Sequence, residues 1–308
     1  MNNHNQKLII DTDAGHDDAL ALMLLVKSQV FDIQAITTVA GNSTIENVTR
    51  NTRFILNLLK DNSTPIYSGM AKPLSRTLTQ AVVHGSSGLD GVDMTGTKYK
   101  LSSDAPDQII TLIEKYPRQI TILTLGPLSN IARALLKKPQ IISSIKKIVI
   151  MGGAINVSGN KNRVAEFNMF VDPEAADIMF RAQVPKILIP LDPCNKIVIP
   201  LNKFQKLKNT DLYMPIMGMM KKFIKGIKKY EGTKGALVYD AVAAYYLLNP
   251  KAFHLEPMDI LIETKGVHTS GMTVVEKRIL QKKNYNIDVA MKVDRKLFIK
   301  DLLKILKK

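Results

Sequence analysis

Residues 7–27 have the sequence KLIIDTDAGHDDALALMLLVK, and this stretch decides the fold. The apolar run Lys7–Asp11 predicts a buried β-strand, and Asp17–Lys27 predicts a helix whose acidic first turn suits the positive end of the helix dipole. A buried strand that leads almost directly into a helix is typical of a βαβ unit in a parallel sheet. The stretch therefore predicts an α/β protein. It also places four carboxylates at the junction of strand and helix: Asp11, Asp13, Asp17 and Asp18.

The same alternation of strand and helix continues along the chain. Further strands are predicted at Ile33–Val39, Pro65–Ser68, Gln119–Leu125, Ile145–Met151 and Lys186–Leu191. One helix is predicted to follow a capping box formed by Ser43 and Glu46. Three more are predicted at Pro106–Tyr116, Leu128–Leu136 and Asp172–Arg181. Beyond Asp192 the pattern is more helical, with helices at Ile216–Tyr230, Asp240–Leu248 and Asp294–Lys307 and one strand at Ile260–Thr264.

Nothing in the composition divides the chain into separate parts. No Pro/Gly/Ser-rich linker, low-complexity tract or internal repeat interrupts the pattern. We therefore expect a single Rossmann-like α/β domain over residues 1–308. Its mostly parallel central sheet is flanked by helices, with an additional C-terminal helical region and small strands.

The composition excludes several classes of protein. The 308 residues are 45% hydrophobic and 23% charged, which is typical of a globular protein and excludes disordered and fibrous chains. The longest apolar run, Ala19–Val26, is far shorter than the roughly 20 residues of a membrane-spanning helix. The polar segment Met1–Gln6 lacks the features of a secretion signal. Because the single cysteine, Cys194, cannot form an intrachain disulfide, we expect a cytoplasmic protein with no membrane partner.

The formal net charge of +16 raises the question of nucleic-acid binding, because dense cations gain affinity by releasing counterions from phosphates. The cations are 34 Lys and 9 Arg, scattered in pairs such as Lys137-Lys138 and Lys228-Lys229, while Trp is absent. Base readout favours Arg, and single-strand binding favours interleaved aromatic residues. We therefore interpret the charge as a solvated lysine-rich surface and expect no nucleic-acid partner.

The carboxylates at the first junction carry the chemistry. In open parallel sheets, ligands bind at the carboxyl ends of the strands, where these side chains lie. Crowded carboxylates repel one another unless a cation compensates them or their pKa values rise. Helix capping explains Asp17 or Asp18 but leaves Asp11 and Asp13 unexplained. We therefore expect a metal site, and oxygen ligands of this kind suit Ca²⁺ or Mg²⁺ better than Zn²⁺.

Two stretches without clear periodicity are predicted to border a cleft. Gly69–Lys100 is long and carries the sequence HGSSGLDG at residues 84–91. Loops of this length in compact domains tend to be functional or mobile. Glu231–Leu237 also breaks the pattern, just before a second acidic helix start at Asp240.

The full string Asp11–Ala19 narrows the class of protein. An Asp-x-Asp pair after a strand also begins hydrolases of the haloacid dehalogenase type, but those usually have Thr or Val where this chain has Gly15. The longer string resembles the N-terminal signature of the inosine-uridine preferring nucleoside hydrolase family. Other blocks are similar to those of the same family: Val39–Asn42, Asn47–Asn51, His84–Gly85, Gly88–Leu89, Leu125–Ala132, Met151–Gly153, Asn160, Val164–Asn168, Asp172–Ala176 and Asp240. By this resemblance, which runs from Lys7 to about Pro250, the chain is identified as a member of the family.

The resemblance implies an activity and a metal site. The activity is hydrolysis of the N-glycosidic bond of a ribonucleoside, which gives ribose and a free purine or pyrimidine base. A tightly bound Ca²⁺ would be held by Asp13, Asp18, Asp240 and the backbone carbonyl of Leu125. A divalent cation lowers the pKa of bound water, and Asp13 is the candidate base that takes the proton. His84, in the matched loop, is a further catalytic candidate, although alone it would be an ordinary exposed or hydrogen-bonded histidine.

The resemblance also implies a set of substrate-binding residues. Those expected to hold the ribose hydroxyls, in a shape that leads to an oxocarbenium-like transition state, are Asp17, Asn42, Asn160, Glu166 and Asn168. The matched blocks add Met151 and Phe167. From the local sequence alone, Asn42 is equally well explained as a turn residue after Gly41. Glu166 and Asn168 are predicted to lie on the same side of an extended segment, which favours a shared ligand.

The chain departs from the family pattern at two places. Many members of the inosine-uridine branch carry His immediately before the late Asp, placed to protonate the departing base, whereas this chain has Tyr239-Asp240. An unperturbed tyrosine is a poorer acid at neutral pH than a histidine. Purine-preferring relatives carry an aromatic residue here, so Tyr239 is a catalytic candidate that stacks on the base and orders solvent; a packing role at the helix start is the alternative. Relatives often have Thr-His where this chain has Cys194-Asn195, so base preference stays open.

Three functions are therefore considered. The first is a metal-dependent ribonucleoside hydrolase that acts on a small-molecule substrate as a homodimer or homotetramer. The second is a nucleoside-binding protein of the same fold with little or no hydrolase activity. The third is a basic nucleic-acid-associated protein, which would bind with steep salt dependence. The intact set of carboxylates favours the first.

Overall fold

The computed structural model describes residues 6–102, 104–278 and 284–308. The predicted polar N-terminus, apart from Gln6, lies outside the described residues. The strands are β1 (Gln6–Thr12), β2 (Phe31–Thr38), β3 (Ile66–Ser68), β4 (Thr121–Thr124), β5 (Lys147–Met151), β6 (Lys186–Ile189), β7 (Val198–Ile199), β8 (Ala236–Leu237), β9 (Phe253–Met258), β10 (Ile260–Ile262), β11 (Thr273–Val275) and β12 (Ile287–Val293). The α-helices are α1 (His16–Ser28), α2 (Ile45–Leu58), α3 (Ala105–Lys115), α4 (Ser129–Lys137), α5 (Phe167–Val171), α6 (Pro173–Arg181), α7 (Leu191–Cys194), α8 (Tyr213–Glu231), α9 (Tyr239–Leu248) and α10 (Arg295–Leu306). Short 3₁₀ helices lie at Pro139–Ser144, Leu201–Leu207 and Pro250–Ala252.

An eight-stranded sheet forms the centre of the described structure, in the order β3-β2-β1-β4-β5-β6-β12-β9. Neighbouring strands from β3 to β12 are parallel, and β9 is antiparallel to β12 at the edge. Two small antiparallel sheets pair β10 with β11 and β7 with β8. The strand order reverses between β1 and β4. Ligands bind in open α/β sheets at the carboxyl ends of the strands at such a switch point.

Helices cover both faces of the sheet. On one face α1, α8, α9 and α10 contribute to one apolar core, and on the other α3, α4 and α6 contribute to a second. Helix α1 is buried on nearly all sides because α9 packs against it. This packing holds the acidic first turn of α1, with Asp17 and Asp18, near the first turn of α9, with Asp240.

The predicted fold class is confirmed, but the sequence analysis did not predict strands β9 and β12 of the main sheet. Strand β9 contains Pro257, which disfavours a strand except at a sheet edge, and β9 is the edge strand. Strand β12 is interrupted by Asp288 and Lys292, so it lacks the unbroken apolar run that marked the other parallel strands. The segment Gly69–Lys100 contains no helix or strand, as predicted.

The predicted capping box at the start of α2 is wrong by one residue. The helix begins at Ile45, so Thr44 is the capping residue, and its hydroxyl accepts the N–H of Asn47 at 3.4 Å. The hydroxyl of Ser43 instead accepts a hydrogen bond from the side chain of Asn47 at 2.9 Å. Within the described residues, no helix is both long and apolar enough to cross a membrane.

Candidate active site

The carboxyl ends of β1, β4 and β5 open onto a cavity of about 300 Å³, a size suited to a small molecule. Loops that follow these strands form its polar floor, and the second half of α8 forms much of the opposite wall. The structure brings together in the cavity lining every residue predicted as catalytic or substrate-binding: Asp13, Asp17, His84, Asn42, Met151, Asn160, Glu166, Phe167, Asn168 and Tyr239. Of the predicted metal ligands, Asp240 and Leu125 also line the cavity, and Asp18 is buried.

Three buried carboxylates converge at the floor of the cavity. Oxygens of Asp17, Asp18 and Asp240 lie within 4.8 Å of one another. The helix starts position these groups, since Asp17 and Asp18 lie in the first turn of α1 and Asp240 lies in that of α9. An arrangement of buried carboxylate oxygens is the kind of ligand set that binds a hard divalent cation.

The convergent set differs from the predicted ligands by one residue, because it contains Asp17 and not Asp13. Asp13 lies beside the set, where its Oδ2 accepts the N–H of Asn42 at 2.8 Å. The carbonyl oxygen of Leu125, the predicted backbone ligand, accepts a hydrogen bond from Nδ2 of Asn168 at 2.7 Å.

Asp18 also caps the helix that carries it. Its Oδ2 accepts the N–H of Gly15 at 2.8 Å, and its Oδ1 accepts the hydroxyl of Thr12 at 2.5 Å. The capping explanation therefore holds for Asp18, but it does not exclude a metal, since each carboxylate oxygen has more than one lone pair.

Two glycines allow the backbone to approach Asp13 closely. A Cβ on Gly41 would lie 2.3 Å from Oδ2 of Asp13, and one on Gly126 would lie 2.9 Å from its Cγ. Side chains at either position would displace the carboxylate. The sequence showed both glycines in matched blocks, but their function became visible only in the structure.

Burial and mutual repulsion favour the neutral forms of these carboxyls. They raise the pKa of Asp17 to about 8, with burial the larger cause and Asp18 the second. Burial and the charge of Asp18 hold the pKa of Asp13 well above its usual range, and burial and the charge of Asp17 do the same for Asp240. A bound cation would reverse these shifts, so the donor set fits a divalent metal ion.

Asp11 serves the scaffold below the cavity. It is fully buried, and its Oδ1 accepts hydrogen bonds from Asn130 Nδ2 at 2.7 Å and from the Thr37 hydroxyl at 2.5 Å. Burial raises the pKa of Asp11 to about 7. Because Asn130 also donates to the carbonyl of Thr38, this network ties β1 to the end of β2.

Glu166 and Asn168 lie at the start of α5, so the predicted extended segment is wrong. Oε2 of Glu166 accepts the N–H groups of Gly153, Asn168 and Met169 at 3.1, 2.9 and 3.3 Å. Burial raises the pKa of Glu166 to about 7, and these N–H groups oppose the shift. The side chain of Asn160 supports the same turn, since its Oδ1 accepts the N–H of Phe167 at 2.9 Å. The two polar side chains share the cavity because of this turn.

His84 belongs to a buried cluster of rings that the sequence did not predict. Its ring stacks with those of His16 and Phe223, with centroids 5.3 and 5.1 Å away. Nδ1 of His84 lies 3.2 Å from the backbone nitrogen of His16, which donates to it, and Nε2 of His16 lies 2.8 Å from the carbonyl of Asp90. Burial lowers the pKa of His16 to about 4 and that of His84 well below its usual range. His84 is therefore a neutral, firmly held side chain at the cavity wall.

Tyr239 is buried at the first position of α9 and lines the cavity. Its hydroxyl donates to Oδ1 of Asn195 at 2.9 Å, and Oε2 of Glu231 lies 3.5 Å from the same oxygen. Burial holds the pKa of Tyr239 well above its usual range, with the charge of Glu231 the next cause. The sequence analysis singled out Asn195 only as an expected departure from relatives. It did not predict that Glu231 lines the site.

Comparisons with known proteins agree with this geometry. The family model described as "inosine-uridine preferring nucleoside hydrolase" matches residues 8–300. The pyrimidine-specific ribonucleoside hydrolase RihA of Salmonella paratyphi C is 37% identical over 303 residues, which cover 96% of each chain. A plant nucleoside hydrolase, PpNRh1, superposes with a TM-score of 0.91 and 26% identity over 98% of this chain and 99% of its own. The purine-preferring ribonucleoside hydrolase from Gardnerella vaginalis gives a TM-score of 0.90 and 29% identity over 98% of both chains.

Fold, site and relatives together define a hydrolase of N-glycosyl bonds. The chain belongs to the inosine-uridine preferring nucleoside hydrolase family. The resemblance identified from the sequence is thereby confirmed. The names of the relatives differ in the base that they specify, pyrimidine in one and purine in another, so membership of the family does not fix the base.

Proposed function

We propose that the protein hydrolyses ribonucleosides to ribose and a free purine or pyrimidine base, using a water molecule activated at a bound Ca²⁺. The observation that carries this proposal is the convergence of Asp17, Asp18 and Asp240 at the floor of a cavity that Asp13 also lines. Such a floor offers the acceptors that a sugar with several hydroxyls needs. The apolar side chains of Phe223 and Ile227 on the opposite wall suit the flat face of a base.

The proposed ligands of the ion are the carboxylates of Asp13, Asp18 and Asp240 and the carbonyl of Leu125. All four are oxygen donors, which calcium prefers. Asp17 is in the convergent set, but the resemblance to the family supports its assignment to the ribose. When bound, a divalent ion lowers the pKa of a coordinated water.

Asp13 is assigned as the general base. The N–H of Asn42 holds its Oδ2 at 2.8 Å and thereby fixes the plane of the carboxylate. A carboxylate held in this way takes the proton of the attacking water as the new bond to the anomeric carbon forms. The close approach of Gly41 and Gly126 limits how far the side chain can move.

The ribose hydroxyls are assigned to the polar side chains of the floor: Asp17, Asn42, Asn160, Glu166 and Asn168. Glu166 shows how the fold positions one of these side chains to bind a ribose hydroxyl. Because Oε2 accepts three backbone N–H groups, Oε1 is left to accept a ribose hydroxyl. Hydrogen bonds that strengthen as the sugar flattens would stabilise an oxocarbenium-like transition state. Met151, Phe167, His84 and Tyr239 are assigned to the walls around the sugar and base.

One observation favours a second function, a nucleoside-binding protein with little hydrolysis. The hydroxyl proton of Tyr239 is already donated to Asn195, so Tyr239 is poorly placed to protonate a departing base. Turnover would still occur if solvent protonated the departing base, or if a basic ring nitrogen of the base were already protonated.

Release of base and ribose from a panel of ribonucleosides tests the main proposal, with 2′-deoxyribonucleosides as the comparison. We expect turnover of ribonucleosides and much slower turnover of the deoxy forms, because a hydrogen bond to the 2′-hydroxyl is lost. Tight binding of ribonucleosides without turnover would establish the binding protein instead. Metal analysis of the purified protein should find Ca²⁺; full activity after exhaustive chelation would refute the metal assignment.

We further propose that residues 1–308 form one domain that works in the cytoplasm as a homodimer or homotetramer. The single cysteine, Cys194, is buried and free, which supports a reducing compartment. Sedimentation at several protein concentrations tests the oligomeric state. Nucleic-acid binding is not expected, and a steep salt-dependent affinity for DNA or RNA would contradict this.

A further inference from the structure

The small antiparallel sheet of β10 and β11 lies outside the cavity, yet it contacts the loop that carries part of the proposed ribose site. That loop follows β5 and runs to the start of α5, with Asn160 along it and Glu166 at its end. None of residues 260–275, all of which the structure describes, lines the cavity. The functions proposed above leave this small sheet without a role.

Thr273 of β11 holds the first part of the loop by its hydroxyl. The hydroxyl oxygen accepts the N–H of Ala154 at 3.1 Å and donates to the carbonyl of Ala154 at 2.5 Å. The side chain of Thr273 is only 3% exposed, so little water competes for these bonds. Because one hydroxyl binds both backbone groups of a residue, it fixes the position and the orientation of that residue.

The connection between β10 and β11 holds the last part of the same loop. Nδ2 of Asn162 donates to the carbonyl of Ser270 at 3.3 Å. Oδ1 of Asn162 accepts the N–H groups of Val164 and Ala165 at 2.8 and 2.7 Å. Ala165 directly precedes Glu166 in the chain. The small sheet and its connection therefore hold the loop near both of its ends.

Gly153 links the Thr273 contact to the proposed ribose site. It precedes Ala154 and has a φ of 78°, in the left-handed region that favours glycine. Its N–H donates to Oε2 of Glu166 at 3.1 Å. A Cβ on Gly153 would lie 2.8 Å from Cγ2 of Thr273, so the threonine packs directly on the glycine. Thr273 thereby fixes the backbone that holds Glu166.

The scaffold holds the small sheet independently of the loop. Helix α6 packs against β10. Arg76 pairs with Glu174 of α6 at 2.7 Å, and its Nη1 donates to the hydroxyl of Ser270 at 2.7 Å. Because these contacts do not involve the loop, the small sheet is a fixed support for it.

We propose that Thr273 is a positioning residue for ribose recognition, whose hydroxyl holds Gly153 and Ala154 so that Oε1 of Glu166 faces a ribose hydroxyl. This inference rests on the proposed function and adds to it a residue that does not contact the substrate. Without the hydroxyl of Thr273, the loop can move and the hydrogen bond between Glu166 and the sugar weakens. The expected loss is roughly tenfold in substrate recognition, as for one hydrogen bond.

The first test compares kcat/KM for inosine and uridine in the wild type, Thr273→Val and Thr273→Ser. Valine keeps the shape of threonine but has no hydroxyl, so kcat/KM should fall roughly tenfold for both nucleosides. Serine keeps the hydroxyl and should stay within about threefold of the wild type. An unchanged kcat/KM in folded Thr273→Val would overturn the inference.

Thr121→Val is the matched control for loss of a buried threonine hydroxyl. Thr121 is buried at the start of β4, and its hydroxyl has no hydrogen-bond partner in the part of the chain that the structure describes. This variant should keep the wild-type kcat/KM. Melting temperatures show whether each variant is folded. If Thr273→Val does not fold, Thr273→Cys replaces it, since a thiol fills the same space but is only a weak donor and acceptor.

A double-mutant cycle separates a positioning role from a general loss of structure. Thr273→Val is made in the wild type and in Glu166→Ala, and kcat/KM is measured for all four proteins. If Thr273 acts through Glu166, the second comparison should show a change of less than about twofold, because the side chain that Thr273 positions is already gone. An equal loss in both backgrounds would overturn the inference and leave Thr273 with a structural role only.

Equilibrium binding of inosine distinguishes failure of this inference from failure of the proposed function. If the wild type binds inosine but hydrolyses no ribonucleoside, the hydrolase function is refuted, and the same cycle measured as dissociation constants decides the role of Thr273. If the wild type neither binds nor hydrolyses any ribonucleoside, the proposed function and this inference are both refuted. Normal hydrolysis with additive effects of Thr273→Val and Glu166→Ala would refute this inference alone.

Discussion

The hydroxyl of Tyr239 donates a hydrogen bond to the side chain of Asn195 across 2.9 Å. These are the two positions at which the sequence analysis expected departures from the family pattern, and the structure shows that they contact each other. The tyrosine at one position is therefore accompanied by an asparagine at the other that accepts its hydroxyl proton. The two departures form one feature of the site.

Substitution of Tyr239 distinguishes stacking from proton donation. If the ring stacks on the base, Tyr239→Phe should retain activity on inosine within about threefold, and Tyr239→Ala should lose about 1–3 kcal/mol of transition-state binding. Steady-state kinetics on inosine and uridine measure both. A loss of roughly 10²-fold in Tyr239→Phe alone would identify the hydroxyl as a proton donor. Asn195→Ala serves as the control, because it should resemble Tyr239→Phe if the hydroxyl only binds Asn195.

Asp13→Asn should preserve the fold and lower kcat by roughly 10²- to 10⁴-fold, as expected for loss of a general base. The asparagine side-chain oxygen can still accept the N–H of Asn42, so the local structure should survive. Circular dichroism and substrate binding confirm that the variant is folded. Activity within threefold of the wild type would remove Asp13 from the catalytic role.

The buried carboxyls of Asp11 and Asp17 should make metal-free protein less stable as the pH rises. In the folded chain the pKa of Asp11 is raised to about 7 and that of Asp17 to about 8, mainly by burial. A raised carboxyl pKa means that the neutral form stabilises the fold at low pH and that this stability is lost as the group ionises. The melting temperature of chelated protein should therefore fall from about pH 5 to pH 8.5. Calcium should flatten the profile; identical profiles with and without calcium would argue against a metal at this floor.

The ionisation of Glu166 should make substrate affinity depend on pH. Its pKa is raised to about 7 by burial, so the carboxyl is neutral below that pH and ionised above it. An ionised Oε1 accepts a ribose hydroxyl more strongly, so KM should fall as the pH rises through about 7. Glu166→Gln should raise KM and remove this inflection. An unchanged inflection in the variant would assign it to another group.

Gly41→Ala should impair catalysis through Asp13. A methyl group at this position would lie 2.3 Å from Oδ2 of Asp13, which forces the carboxylate or the backbone to move. We expect kcat to fall by at least tenfold and stability to fall by about 1–3 kcal/mol, as for other overpacked positions. Denaturation and kinetics measured on the same preparation separate the two effects. Wild-type kcat in a folded variant would show that the position of Asp13 tolerates such a shift.

Local patterns in the sequence were sufficient to predict much of the fold, whereas most candidate site residues came from the resemblance to the family. The buried strand before Asp11, the acidic helix start at Asp17 and the late Asp240 each gave a local signal, and parallel strands bring such signals to one edge of the sheet. The resemblance to the family implied that Asp18 and Asp240 come together, and the structure brings them together.

The remaining features depend on contacts between distant parts of the chain. His16 stacks with Phe223, and Glu231 approaches Tyr239, only because α8 folds over the start of α1 and α9. No local periodicity reports such contacts. The turn that joins Glu166 to Asn168 was missed for another reason: a five-residue helix is too short to show a helical pattern.

The insertion of β12 between β6 and β9 has a consequence for how the protein is made. During synthesis the ribosome delivers β1 to β6 long before β12, so the edge of β6 stays unpaired while the rest of the chain is translated. An unpaired strand edge can recruit other chains and promote aggregation. The nascent chain therefore needs protection at that edge, and a chain truncated before Ile287 would keep the exposed edge permanently.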